Sequence, residues 1–220
     1  MSVTFEQIKA DPEISTYIRQ ADESMRAMGF TEHSFAHVTK CAHTASELLA
    51  ELGYPEREVE LARIAGYLHD IGNVVNRDDH AHSGALMAFR LLDKLGMPAQ
   101  EVAVVITAIG NHDEHTAFPV NAVAAALILA DKSDVRRSRV RSRDNIHVDI
   151  HDRVNYAVEQ SHLALDKQAG TLTLSMDIDP AICPVMEYFE IFTTRMLLCR
   201  KAAEFFGLTF KLRINDAVIL

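Results

Sequence analysis

Three apolar stretches of this chain end in groups that can hold a cation. One closes on Leu68–His69–Asp70–Ile71–Gly72, a second on Asn111–His112–Asp113–Glu114–His115, and a third, Val120 to Ala130, runs straight into Asp131. A histidine beside a carboxylate offers an imidazole nitrogen and an acidic oxygen, and both are good ligands for divalent first-row metals. Asp131 follows a run apolar enough to be buried. An unpaired buried carboxylate costs several kcal/mol, so Asp131 needs a lysine, an arginine or a metal as partner. His33, His37, His43, His80 and His82 add imidazoles in the stretches between. With 11 histidines in 220 residues, metal chemistry is the first hypothesis the residue types raise.

These groups must be positioned by helices. Asp11–Pro12 reads as a cap and a first-turn proline, opening a helix that runs to Gly29. Further helices are expected over about 33–52, 56–70, 80–95, 99–112 and 121–134, with breaks at Gly53–Tyr54–Pro55, Gly72 and Gly96–Met97–Pro98. The last two are apolar nearly all round and are expected to be central and buried. Ends of such helices can converge on one interior site. Past residue 150 the period drops to two: Leu163 and Leu165, then Leu172, Leu174, Met176 and Ile178, then Phe210, Leu212 and Ile214. Lys167–Gln168–Ala169–Gly170 reads as the turn between the first two strands. A helix carrying Phe189, Phe192, Met196, Cys199 and Phe206 on one face lies before the third. The expected fold class is therefore mainly α. A helical domain over 1–150 carries a small α+β extension over 151–220, read as an antiparallel sheet packed on a helix.

The ordered set His37, His69–Asp70–Ile71–Gly72, His82–Ser83–Gly84–Ala85, His112 and Asp131 resembles the HD-domain superfamily of metal-dependent phosphohydrolases, over roughly residues 30–140. Ligand order, helix positions and the glycine after His-Asp all match. The resemblance implies a helical bundle with a metal site at its centre. It implies that His37, His69, Asp70 and Asp131 bind a first metal. Asp70, the residue at the centre of catalysis, would bridge to a second metal held by His82 and His112. The cofactors would be divalent ions, two of them, drawn from Mn, Fe, Mg, Co or Ni. The chain departs from the members that cleave cyclic dinucleotides. Asn73 stands where they carry lysine, Asn111 stands at the first histidine of a pair, and Thr116–Ala117–Phe118–Pro119 replaces their Gly-Tyr-Pro. Cyclic-di-GMP hydrolysis is accordingly not what the resemblance implies. His115 is the alternative ligand to His112.

Lys132, Arg136, Arg137, Arg139, Arg141 and Arg143 form a basic strip on a chain of net charge −9. It reads either as a solvated face or as a phosphate clamp, with Lys132 and Arg136, a helical turn apart, as the contacts. The expected function is hydrolysis of a phosphomonoester or phosphoanhydride of a small, nucleotide-like substrate by metal-bound hydroxide. Metals lower the pKa of water from 15.7 toward about 7. A mixed-valent di-iron oxygenase on the same ligand set is the first alternative, and a non-catalytic metal-binding signalling module the second. No Gly-x-Ser-x-Gly element or glycine-rich phosphate loop is present in the sequence. The acidic balance argues against nucleic acid as a partner. No apolar run reaches the length of a membrane span, and no basic-then-apolar leader opens the chain. Cys41, Cys183 and Cys199, odd in number and without a CxxC, fit a reducing cytoplasm and read as small apolar side chains. The extension either caps the site or pairs across a homodimer.

Overall fold

A computed structural model describes residues 2–142 and 150–219. Arg143 of the basic strip and His147 lie outside the described residues. The chain divides into two compact units, Met1–Asp131 and Lys132–Leu220. The division falls earlier in the chain than residue 150, where the sequence period changes.

The first unit is helical. Helix α1 (Phe5–Ala10) opens on a reciprocal cap: Gln7 N–H donates to Thr4 Oγ1 at 3.3 Å, and Thr4 N–H to Gln7 Oε1 at 2.9 Å. Helix α2 (Pro12–Ala27) starts as its sequence predicts, with Asp11 Oδ1 accepting from the amides of Glu13 and Ile14. Helix α3 (Phe35–Leu52) is capped by Ser34 and stopped by Gly53, which takes a left-handed φ of 83°. Helix α4 (Glu56–Leu68) is followed by a 3-10 turn, Ile71–Val74, then by α5 (His80–Lys94), α6 (Ala99–Gly110) and α7 (Ala122–Ser133). The last two residues of α7 belong to the second unit.

Two glycines set how closely these helices approach. A Cβ at Gly66 would lie 2.7 Å from the Ala42 backbone, so α3 and α4 touch main chain to main chain. A Cβ at Gly72 would meet the His80 carbonyl oxygen at 2.0 Å and Gly84 N at 2.5 Å. No side chain fits there, and the first turns of α5 rest directly on the turn after Asp70. Elsewhere the unit is tied by charge. Arg57 of α4 grips Glu101 of α6 through both forks of its guanidinium, and Glu13 of α2 accepts from Arg90 (2.6 Å) and Lys94 (2.7 Å) of α5.

Burial corrects one expectation. Ala122 to Ala130 of α7 are all buried, as an all-round apolar helix should be. Helix α6 buries only the stripe Val102, Val105, Ala108 and Ile109, while Ala103 is exposed. Its other face carries small and β-branched residues that tolerate partial exposure.

The second unit contains the 3-10 turn Arg137–Arg139, α8 (Ile150–Ala157), β1 (Val158–Asp166), β2 (Thr171–Ile178), α9 (Val185–Phe205), β3 (Thr209–Ile214) and β4 (Ala217–Val218). The sheet order is β1-β2-β3-β4. Strands β1 and β2 form the expected antiparallel hairpin across Lys167–Gly170, with Leu163 opposite Leu174 and Leu165 opposite Leu172. The sheet is mixed rather than antiparallel, because β2 and β3 run parallel with Leu174 opposite Leu212. The reason is α9, which carries the chain back to the end from which β2 started, as a parallel pair requires. Leu172, Leu174, Met176, Ile178, Phe210, Leu212 and Ile214 are buried, and so are Tyr188, Phe192, Met196 and Cys199 of α9. Phe189 and Phe206 of the expected stripe are only half-buried. Among the described residues no helix is long and apolar enough to cross a membrane.

Candidate metal centre

Five elements of the first unit bring ionisable groups to one interior point. Helix α3 supplies His37. The end of α4 supplies His69 and, one residue on, Asp70. The first residue of α5 is His80, the residues after α6 supply His112, and α7 supplies Asp131. All but Asp131 are buried, and its side chain is 13% exposed. The four imidazoles form a row, with ring centres 5.2 Å apart for His37 and His69, 5.0 Å for His69 and His112, and 5.0 Å for His112 and His80.

Main-chain carbonyls orient three of the rings. Nδ1–H of His69 donates to Gly66 O at 2.8 Å, that of His112 to Ile109 O at 2.6 Å, and that of His80 to Arg77 O at 3.0 Å. The first two acceptors are carbonyls of a helix's last turn, which the helix itself leaves unpaired. A neutral imidazole that donates through Nδ1 presents a lone pair at Nε2. These three Nε2 atoms therefore face inward as acceptors. His69 Nε2 lies 3.2 Å from Asp70 Oδ2 and 3.7 Å from Asp131 Oδ1. His37 Nε2 lies 3.4 Å and 3.3 Å from the same two oxygens. On the other side of Asp70, Oδ1 is 3.6 Å from His80 Nε2 and 4.0 Å from His112 Nε2, and those two nitrogens are 3.2 Å apart.

Lone pairs aimed at one another repel unless a cation or a proton lies among them. His69 Nε2 and Asp70 Oδ2 are fully buried and have no hydrogen-bond partner. Leaving such atoms unsatisfied costs on the order of 1–3 kcal/mol each, so the residues fit a bound divalent cation. The electrostatics agree. Burial alone would lower the pKa of His69, yet Asp70 and Asp131 overcome it and raise the ring to about 10, so without a cation a proton on the ring supplies the positive charge these carboxylates demand. Burial would raise Asp70, yet His69 and then His33 hold it well below the usual carboxylate range. The ligand atoms fall into two groups, one with His37, Cys41, His69 and Asp131 and one with His69, Asp70 and His112.

Two neighbours steady the second group. Asn73 donates Nδ2–H to Asp70 O (2.9 Å) and Asp70 Oδ1 (3.0 Å). Arg77 donates from Nη1 toward His80 Nε2 at 3.3 Å and lies over the Phe30 ring.

His37, His69, Asp70, His112 and Asp131 are thus brought together, but His82 is not. Its side chain is 56% exposed and sits beside Asp79 on the outer face of α5. The cause is the seating of α5. Gly84 must face Gly72, and a helix puts i−4 on the same face, so His80 turns inward and His82 away. The tight glycine pair was the signal that could have chosen His80 over His82. His115 is exposed and lies outside the cluster, and His151 and His162 of the second unit are exposed. His33 holds Thr31 O through Nδ1, and the His43 ring stands edge-on to Phe5. Cys41 was read as a small apolar side chain, yet its Sγ belongs to the first group of ligand atoms. Cys183 is buried, and burial with Glu187 pushes its thiol up to about 11.

In the second unit Lys132 is buried and Arg136 half-buried. Arg136 donates to Asp134 Oδ1 at 2.9 Å and to Ser138 Oγ. Arg137 donates to Tyr156 O, and Arg139 to Asp134 O. Three arginines of the basic strip therefore hold local structure.

The sequence model of the HD-domain family matches residues 34–156, more than half of the chain. The chain belongs to the HD-domain family. The matched region starts at the cap of α3, takes in every cluster residue and continues into the second unit. Ribonuclease Y of Opitutus terrae is 30% identical over 116 residues, 51% of this chain and 20% of its own length. An uncharacterized protein of Methanocaldococcus jannaschii is 22% identical over 159 residues, 62% of this chain and 61% of its own. This HD domain thus spans about a fifth of the first relative and about three fifths of the second. A crystal structure described as a predicted HD superfamily hydrolase, from an uncultured Thermotogales bacterium, is 28% identical with a TM-score of 0.45, covering 60% of this chain and 73% of that one.

Proposed function

We propose that this HD domain is a metal-dependent phosphohydrolase that cleaves a phosphomonoester or phosphoanhydride of a small, nucleotide-like substrate. The observation that carries the reading is the pair of buried, unpartnered atoms, His69 Nε2 and Asp70 Oδ2, at the meeting point of five elements. Membership of the family and the name of the ribonuclease relative support phosphate chemistry.

His37, His69, Asp70 and Asp131 would hold one divalent ion, and Asp70, His80 and His112 a second. Bound ions of this kind lower the pKa of water toward neutrality and neutralise charge on a transferring phosphoryl group. The chain's own residues do the rest. Asp70 turns Oδ2 toward His37 and His69 and Oδ1 toward His80 and His112, so one carboxylate serves both halves. Asn73 locks that carboxylate by donating to Oδ1. The Arg77 guanidinium, at the margin of the second half, suits the oxygens of a phosphate bidentately. Lys132 and Arg136 remain proposed phosphate contacts on the strength of the sequence. Arg77 has the stronger case, because its Nη1 lies against the cluster residue His80, beside a long 3.4 Å bond to Asn73 Oδ1, while Arg136 is held away by Asp134 and Ser138.

The test loads the purified protein separately with Mn, Mg, Co or Fe and follows phosphate release from a panel of nucleotides and other phosphate esters. Release is expected with at least one metal. Asp70→Asn should abolish it while the helical circular dichroism is kept, and an active Asp70→Asn protein would overturn the mechanism. Oxygen-dependent turnover with iron, without phosphate release, would replace the proposal with the oxygenase alternative.

A further inference from the structure

The first half of the cluster contains a donor that the phosphohydrolase reading does not use. Cys41 follows His37 by one helical turn on α3, and both are completely buried. Its Sγ lies 3.7 Å from both ring nitrogens of His37. One ligand atom each from His37, Cys41, His69 and Asp131 falls within 4.8 Å of all the others. The placement follows from the backbone. A Cβ at Gly66 would lie 2.9 Å from the Cys41 carbonyl carbon, so only a glycine lets α4 pass α3 this closely, and one turn later the same helix is closed by His69. The thiol therefore faces the same interior point as His69 Nε2, which is fully buried and unpartnered.

We propose that Cys41 Sγ is a ligand of the metal held by His37, His69 and Asp131, giving that half a mixed nitrogen, oxygen and sulfur donor set. The proposal rests on the metal-binding reading above and deepens it. On ligation the S–H bond breaks, the sulfur–metal bond forms and the proton leaves to solvent, so the thiolate is the donor. A thiolate is soft. It favours zinc, iron and cobalt over magnesium, which prefers oxygen ligands. Zinc–sulfur bonds are about 2.3 Å long against about 2.0–2.1 Å for zinc–nitrogen. Cys41 would thereby decide which metals this HD domain keeps.

Cobalt(II) makes the test spectroscopic and independent of turnover. The full chain, reduced and free of oxygen, is titrated with cobalt(II) and its absorption recorded. The expected result is a near-ultraviolet sulfur-to-cobalt charge-transfer band together with visible d–d bands. Cys41→Ser and Cys41→Ala should lose the first and keep the second, with circular dichroism unchanged. A Cys183→Ser/Cys199→Ser double variant should keep both. Cobalt affinity should fall by at least about tenfold in the Cys41 variants, the lower bound for losing even an outer partner of a metal ligand, while magnesium affinity stays put. Visible bands without a charge-transfer band in the unaltered chain, or a charge-transfer band that survives Cys41→Ser, would overturn the proposal and leave the metal reading intact. Absence of any cobalt uptake would overturn both.

Discussion

Two histidines two residues apart, at the start of one helix, divide the work of α5 between them. His80 touches the cluster and His82 touches solvent. His80→Ala should therefore cut both metal affinity and phosphate release by about tenfold or more, whereas His82→Ala should change neither. Calorimetric metal titration of the two variants checks this, and equal losses would return His82 to the centre. Arg77→Ala should raise the KM of a phosphorylated substrate with little effect on the amount of metal bound, measured by elemental analysis and steady-state kinetics side by side. At this scale chemistry alone marked only candidates: His69–Asp70, His112 and Asp131 stand where apolar helices stop, and a buried carboxylate there needs a positive partner, while the ligand set as a whole came from the family resemblance. The choice between His80 and His82 could not be read so, because both are imidazoles and the deciding contact is between two glycines with no chemistry of their own. Cys41 was missed for a related reason: one thiol among aliphatic neighbours has the pattern of core.

At the scale of elements, the cluster depends on how closely backbones pass. Gly72→Ala would force a Cβ to within 2.0 Å of the His80 carbonyl oxygen. Overpacking of this kind costs about 1–3 kcal/mol, and here it would also push His80 off Asp70. A fall in the thermal midpoint with loss of metal binding is expected, while Gly96→Ala, strained by a left-handed φ of 80° but with nothing within 4 Å of the added methyl, should lower the midpoint and spare the metal. The longer helices were readable because each pairs a periodic face with at least one boundary signal, such as Asp11–Pro12 for α2, Gly53 for α3 or Gly96 beyond α5. Helix α1 was not, since six residues held by one Thr4–Gln7 cap show no period. Helix α8, eight residues long, is hidden for the same reason. Strand direction was also invisible. The alternation in Leu172–Ile178 and Phe210–Ile214 says which face is buried, but the parallel pairing follows from the 21-residue α9 between them.

For the whole molecule, metal binding is expected to act as folding energy. A ligand at about 100 times its dissociation constant adds about 2.7 kcal/mol to the folded state, which for a chain of this size raises the midpoint by roughly 5–10 °C. Scanning calorimetry with and without a chelator measures it, and Asp70→Asn should show no shift. Acid should act through Glu13. Hydrogen bonds from Lys94 and then Arg90 lower its pKa from 4.5 to about 2. The carboxylate is the bonded form, so its contribution is fully present above about pH 4.5 and fades as the pH falls toward 2. Glu13→Gln should accordingly melt below the unaltered chain at neutral pH, with the gap closing near pH 2. That clasp lies at the far end of α5 from His80. The helix is a splint fastened twice, by bare backbone at the metal and by ion pairs on the rim. Cutting the rim fastening leaves every ligand in place but lets the splint pivot, so Glu13→Ala should quicken the escape of bound metal. In stopped-flow chelation that quickening should fade as salt is raised, because salt loosens the intact clasp as well.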